Sequence, residues 1–190
     1  MREPSNRQKS TTKRNKRSAP QVQIATIGVY GFTEDSFFQK LLRARVTVFF
    51  DIRRRRGVRG SRYAFANSKR LQSKLATLGI RYIHLEELAP SNAIRQLQKD
   101  ADRSSRTTQS QRSRLSEKFI AAYQAESLSH FKTGSFLRSY DLKNQVIVFF
   151  CVEREPNACH RSLVAERCSR DLGVVTTHLT LDGDRSEERT

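Results

Sequence analysis

Two apolar runs, Val46-Thr-Val-Phe-Phe50 and Val146-Ile-Val-Phe-Phe150, do most to restrict the folds open to this chain. A strand with one wet face alternates apolar and polar side chains. A run without that alternation suits a strand covered by helices on both faces, as in a parallel sheet. Each run ends abruptly in polar residues, Asp51-Ile-Arg53 after the first and Cys151-Val-Glu153 after the second. Open α/β sheets bind ligands in the crevice beyond the carboxyl ends of their strands, so these two junctions mark where a site is expected.

The intervening pattern supplies the crossovers that parallel strands require. A first strand is expected from Val22 to Ile27, ending at Gly28. Thr33 is placed to cap a helix whose inner face is Phe37, Phe38, Leu41 and Leu42. Asn67 is placed to cap a second helix bearing Leu71, Leu75 and Leu78, which Gly79 stops before a strand from Ile80 to His84. Residues 90–118 are rich in Ser, Arg, Gln and Thr and read as an insertion, mobile over about 98–112, with a helical turn around Ile94 and Leu97. A helix from about Ser113 to Phe131 turns Leu115, Phe119, Ala122, Tyr123 and Leu128 inward. After the second apolar run, Asn157 is expected to cap the last long helix, with Cys159, His160 and Arg161 in its first turn. Leu163, Val164, Cys168 and Leu172 form that helix's core stripe, Gly173 ends it, and Val174 to Leu179 is a final strand. The expectation is one α/β domain over residues 21–181, a Rossmann-like three-layer sandwich around a mostly parallel sheet of about five strands. A polar tail, 182–190, follows it.

Charge narrows the choice of partner. The chain carries a formal net charge of +17, from 36 Lys and Arg against 19 Asp and Glu. Residues 1–20 contribute seven basic and one acidic residue, so the remaining chain is also strongly basic. That first segment is polar and lacks apolar periodicity, and it reads as a disordered basic tail. Such a balance points to a polyanion, with nucleic acid (DNA or RNA) the leading class. No apolar run approaches the ~20 residues of a membrane span. The basic start has no apolar segment of the secretory kind. Three cysteines without a CxxC pair do not make a disulfide framework. A cytoplasmic protein, without membrane association, is expected.

Candidate site residues gather at the two junctions. Between Arg53 and Arg62 lie six arginines in ten residues with no acid, in a glycine-containing loop directly after a strand. Arg53, Arg54, Arg56 and Arg62 are therefore candidates to bind an anion, as is Arg161, because guanidinium groups bind phosphate in a bidentate manner. Cys159, His160 and Arg161 at a helix start, with Glu153 and Asp51 nearby, supply a candidate nucleophile, proton carriers and an anion anchor. Cys151 and His84 complete the expected pocket. The competing reading makes Cys151 and Cys159 small packing residues and pairs Arg161 with Asp51 or Glu153. Adjacent residues of a helix point about 100° apart, so Cys159 and His160 need not act together. A phosphatase loop is excluded because Cys159 is followed by Arg161 and Arg167, neither at the Cys-x5-Arg spacing. Gly28 and Gly31 are not a GxGxxG loop, and no cofactor is called for. A zinc site from Cys151, Cys159, His160 and His84 matches no common finger spacing, so no metal is assigned. Cys168 reads as inert packing.

Several blocks in order resemble one family: Thr26-Ile27-Gly28, Phe50-Asp51-Ile52-Arg53, Gly79 to Leu85, Cys151-Val-Glu153 and Cys159 to Ala165. They resemble the uncharacterised domain of unknown function 488 family over about residues 24–180. The resemblance implies a compact Rossmann-like domain and an intracellular protein of prokaryotic type, and it carries no known reaction. Members often have His-Ser where this chain has Val29-Tyr30, and a Gly pair where it has Ala89-Pro90. The arginine-dense loop exceeds the family pattern. Three functions follow as expectations. The first is an enzyme, or enzyme-derived domain, acting on nucleic acid or a nucleotide-like phosphate ligand. The second is a non-enzymatic nucleic-acid-binding accessory protein using the tail and the 53–62 loop, and the third a thiol-dependent redox or sulfur-handling domain.

Overall fold

In the computed structural model the described residues are 22–186, apart from Arg59 and Ser110. The expected basic tail, residues 1–20, lies outside them.

Both apolar runs are strands buried on both faces: β2 is Val48–Asp51 and β4 is Val146–Cys151. With β1 (Gln23–Gly28), β3 (Arg81–His84) and β5 (Thr176–Thr180) they form five parallel strands in the order β3-β2-β4-β1-β5. A sixth, β6 (Gly183–Ser186), pairs antiparallel with β5 at the edge. It lies within the segment expected to be a polar tail; backbone pairing with β5, which asks for no apolar side chains, accounts for it.

Helices cover both faces, as the uniform burial of the runs requires. α1 (Glu34–Arg43) and α2 (Ser68–Thr77) pack on one side. Phe37, Leu41, Leu71 and Leu75 there meet Ala25, Ile27, Phe49, Val148 and Phe150 of the sheet. α3 (Asn92–Ser104), α4 (Glu117–Tyr123), α5 (Thr133–Ser139) and α6 (His160–Leu172) contribute to the other side, against Ile24, Val48, Phe50, Ile147 and Phe149. Rings interlock in both layers. Phe37 meets Phe49 and Phe150 edge-on, and Phe136 packs on Phe50 and Phe149. Each such pair adds about 0.5–1.5 kcal/mol beyond area burial.

Local signals were met in some places and overruled in others. Thr33 caps α1 in a capping box: its hydroxyl accepts from the Ser36 N–H, and the Ser36 hydroxyl accepts from the Thr33 N–H. Gly173 ends α6 in the left-handed conformation, φ 70°. Asn67 precedes α2, but its side chain accepts from the Val58 N–H instead of capping the helix. Asn157 likewise does not cap α6. Pro156, with its fixed φ, opens a short 3-10 turn over Pro156–Ala158 that holds Asn157, and α6 begins after Cys159. Where a helical turn within an insertion was expected, α3 is a 13-residue helix whose N-cap, Ser91, accepts from the Ile94 N–H. The helix expected over 113–131 starts at Glu117, capped by Ser116, and passes into a π turn at Gln124–Leu128.

Register aligns the strand ends. Gly28 stands opposite Cys151, and Asp51 stands between Phe150 and His84. Both polar junctions therefore reach the same edge of the sheet.

Candidate functional site

At the end of β2 the chain turns Asp51 and Arg53 onto each other. Asp51 is wholly buried and accepts from the Arg53 backbone N–H (3.1 Å), from Arg53 Nε (2.8 Å) and Nη2 (2.7 Å), and from the Tyr82 hydroxyl (2.8 Å). Burial and the neighbouring carboxylate push Tyr82 up to about 12. Arg53 also donates to the Ala66 carbonyl and lies over the Phe150 ring, 4.5 Å from its centroid. Its Nη1 is buried and finds no hydrogen-bond partner among the described residues. His84 Nε2 meets the Arg53 carbonyl at 2.8 Å. Asp51 and His84 thus hold Arg53 in place, and neither is among the residues that line the cavity described below.

At the end of β4 the loop folds back over Gly28. A Cβ there would stand 1.8 Å from the Glu153 carbonyl oxygen, so only glycine permits this approach. The same carbonyl accepts from Arg161 Nη1 (2.7 Å), while Arg161 Nη2 donates to the Arg154 carbonyl (2.9 Å). Arg161 is 1% exposed. It is neither paired with the Asp51 or Glu153 carboxylate nor open to an external anion. It braces the loop, because backbone carbonyls already occupy both terminal nitrogens.

Cys159 occupies the N-cap of α6 in an extended conformation, φ −142° and ψ 141°, and His160 is the first helical residue. The change of backbone conformation between them lets both side chains reach Cys151. His160 Nδ1 lies 3.8 Å from Cys159 Sγ and 4.0 Å from Cys151 Sγ, and its Nε2 is 3.1 Å from the Ile52 carbonyl. A carbonyl only accepts, so Nε2 carries a proton, and Nδ1 faces the two sulfurs. Burial works against a Cys159 thiolate, but the bond from Cys151, the Arg161 guanidinium and His160 outweigh it and hold that thiol well below the ordinary range. Its bond to Cys159, reinforced by burial, pushes Cys151 well above it. Burial and the Cys159 charge push Glu153 up to about 7, against Gln109 and Arg112, which favour its charged form.

These groups line one cavity of about 610 Å³ at the carboxyl edge of the sheet. Cys151, Cys159, His160 and Glu153 contribute to it from the end of β4 and the start of α6, and Arg53, Arg54 and Arg55 from the end of β2. α3 adds Arg95, Lys99 and Arg103, spaced four residues apart along one helix face. Arg95 Nε, like Arg53 Nη1, is buried without a hydrogen-bond partner among the described residues. Arg112 closes a further side, donating to Asp102 (2.8 Å) and to the Ala158 carbonyl (3.2 Å), with Glu153 3.4 Å away.

Of the expected anion binders, then, Arg53 and Arg54 reach the cavity. Arg56 is bonded to Tyr82, and Arg62 lies over the Tyr63 ring beside a neighbouring cavity of about 820 Å³. Arg95, Lys99, Arg103 and Arg112 went unrecognised because their segment read as an insertion; the i, i+4, i+8 spacing of the first three was the available signal. A larger groove of about 1010 Å³ between α3, α4 and α6 is lined by Ser105, Glu117 and Glu166 among others, and none of its lining residues is a cysteine or histidine. No helix among the described residues is long and apolar enough to cross a membrane.

Comparison with family models finds one match, described as domain of unknown function DUF488, over residues 33–168. The match takes in α1, the Arg53 junction, α3 and the thiol cluster. No curated protein and no solved structure matches the chain.

Proposed function

The chain belongs to the DUF488 family, and on that premise we propose that its cavity takes a phosphate-bearing, nucleotide-like anion, with Cys159, His160 and Glu153 at the reacting end. The observation that carries this reading is the pair of buried guanidinium donors without partners, Arg53 Nη1 and Arg95 Nε, in the walls of one cavity. A buried donor left unpaired costs about 1–3 kcal/mol, more when charged, and an anion's oxygens would recover that cost. Lys99, Arg103 and Arg54 add positive charge around them. The volume, about 610 Å³, lies within the ~300–1,000 Å³ of small-molecule sites. It suits a nucleotide or a chain end better than a duplex.

The test is calorimetric titration of the full chain with ADP and with a short single-stranded oligonucleotide, each over a salt series, repeated on Arg95→Ala. The expected result is saturable binding of ADP at one site per chain, weakened about 10- to 100-fold by the substitution, in line with ~1.5–3 kcal/mol for a charge-assisted bond. ADP binding that is absent, or unchanged in Arg95→Ala, overturns the reading.

The net charge of +17 favours a second reading, a non-enzymatic accessory protein that holds nucleic acid through its basic surface. In the same titration that reading gives oligonucleotide binding with a steep salt dependence and no ADP binding.

A further inference from the structure

We propose that Cys151, Cys159 and His160 form a three-ligand site for a zinc-like divalent cation, with its remaining coordination position open to the cavity. The inference does not rest on the anion reading, although the two sites share a floor.

The ligand geometry comes first. Cys151 Sγ, Cys159 Sγ and His160 Nδ1 all lie within 4.8 Å of one another, and the imidazole is 3.8 and 4.0 Å from the two sulfurs. Tetrahedral zinc with Zn–S of about 2.3 Å and Zn–N of about 2.0–2.1 Å separates its ligands by roughly 3.6–3.8 Å. The two nitrogen–sulfur distances are thus within about half an ångström of that spacing. The two sulfurs lie within 4.8 Å of each other, close enough for a small adjustment of either side chain to complete the triangle.

A second observation concerns the far side of the imidazole. Nε2 is held by the Ile52 carbonyl at 3.1 Å, which fixes the tautomer and directs Nδ1 at the sulfurs. Metal-bound histidines almost always donate their other N–H in this way, and it orients the ring. The backbone adds a third observation. Successive helical residues would splay, but Cys159 is extended at the N-cap, so both side chains converge. That conformation removes the objection raised by their adjacency in sequence. The site also differs from a closed structural one. All three ligands line the 610 Å³ cavity, and three protein ligands with an open position is the arrangement of catalytic zinc. Soft thiolates with imidazole select zinc or related metals over magnesium or calcium.

The experiment titrates reduced, metal-stripped full-length protein with Co²⁺ and follows the thiolate-to-cobalt charge-transfer and d–d absorption, then displaces cobalt with Zn²⁺. The expected result is one cobalt per chain with the intense d–d bands of tetrahedral coordination, and stoichiometric displacement by zinc. Cys159→Ser and Cys151→Ser should each weaken binding more than 100-fold, since losing an outer-shell partner alone costs about 10- to 100-fold. Cys168→Ser, remote from the triangle, should leave spectrum and stoichiometry unchanged. Circular dichroism shows whether each variant is folded. For a variant that is not, His160→Gln, which keeps a polar group of similar reach, takes its place, and the same weakening of cobalt binding is expected. Folded wild-type protein that takes up no cobalt, or a charge-transfer band that reaches wild-type intensity at wild-type cobalt concentrations in either Cys159→Ser or Cys151→Ser, overturns the proposal. ADP affinity of the metal-stripped protein is read separately, so either site can fail without the other.

Discussion

Gly28 and Glu153 approach so closely that a methyl group on the first would stand 1.8 Å from the carbonyl oxygen of the second. This contact seats the loop after β4 on the end of β1 and lets Arg161 bond the Glu153 carbonyl at 2.7 Å. Glu153, in the wall of the cavity at its thiol end, is positioned by that loop.

Gly28→Ala should therefore displace the loop. The obstacle is backbone, which moves less readily than a side chain, and overpacking of this kind costs about 1–3 kcal/mol. In a chain of this length that is a fall of very roughly 2–12 °C in Tm, at ~2–4 °C per kcal/mol. Thermal denaturation checks the stability. A Gly28→Ala protein as stable as wild type would mean that the loop has room to move.

The bond between Asp51 and Arg53 yields a second expectation. Asp51→Asn leaves Arg53, 3% exposed, without its counter-charge. Breaking one side of a buried pair costs about 3–5 kcal/mol. Tyr82→Phe removes one hydrogen bond to the same carboxylate and should cost nearer 1 kcal/mol. Urea denaturation of both variants gives the comparison. Equal losses would show that the charge pair adds nothing to the neutral bond.

The fold was legible because Val46 to Phe50 and Val146 to Phe150 admit few placements other than buried parallel strands. The site was legible in part. Cys159, His160, Glu153 and Arg53 were singled out from their position after strands, and topology rather than local pattern brings them to one cavity. Their partners were not legible: no local signal distinguishes an Arg161 that binds carbonyls from one that binds a ligand. Pro156 displaced the helix start from Asn157 to Cys159, and this two-residue shift brings Cys159 and His160 together. α3 was hidden by its composition. Its serines, arginines and glutamines resemble a solvated loop until the register of Arg95, Lys99 and Arg103 is examined.

That register predicts a division among the arginines. Lys99→Ala with Arg103→Ala should weaken ADP binding and flatten its salt dependence, because both line the cavity. Arg62→Ala, over Tyr63 and outside that cavity, should leave ADP affinity unchanged. Calorimetry at two salt concentrations separates them. Equal effects from both would return the binding to diffuse surface charge.

Cys168 supplies a pH dependence whose sign can be worked out. It is fully buried in the core stripe of α6, and burial pushes its thiol up to about 12. An unfolded cysteine titrates near 8.5. The folded state therefore favours the neutral thiol, and its contribution to stability is complete below about pH 8.5. As pH rises further, the unfolded chain ionises while the folded thiol does not, and stability drains away at up to about 1.4 kcal/mol per pH unit until the folded value is reached. Cys168→Ala has no thiol to ionise. It should be less stable than wild type at pH 7, because it leaves a small cavity, yet lose less stability between pH 8.5 and 10.5. Urea denaturation across that range measures the difference. If the two proteins lose stability in parallel, ionisation of Cys168 is not coupled to unfolding, and the thiol must be more accessible in the folded chain than its burial indicates.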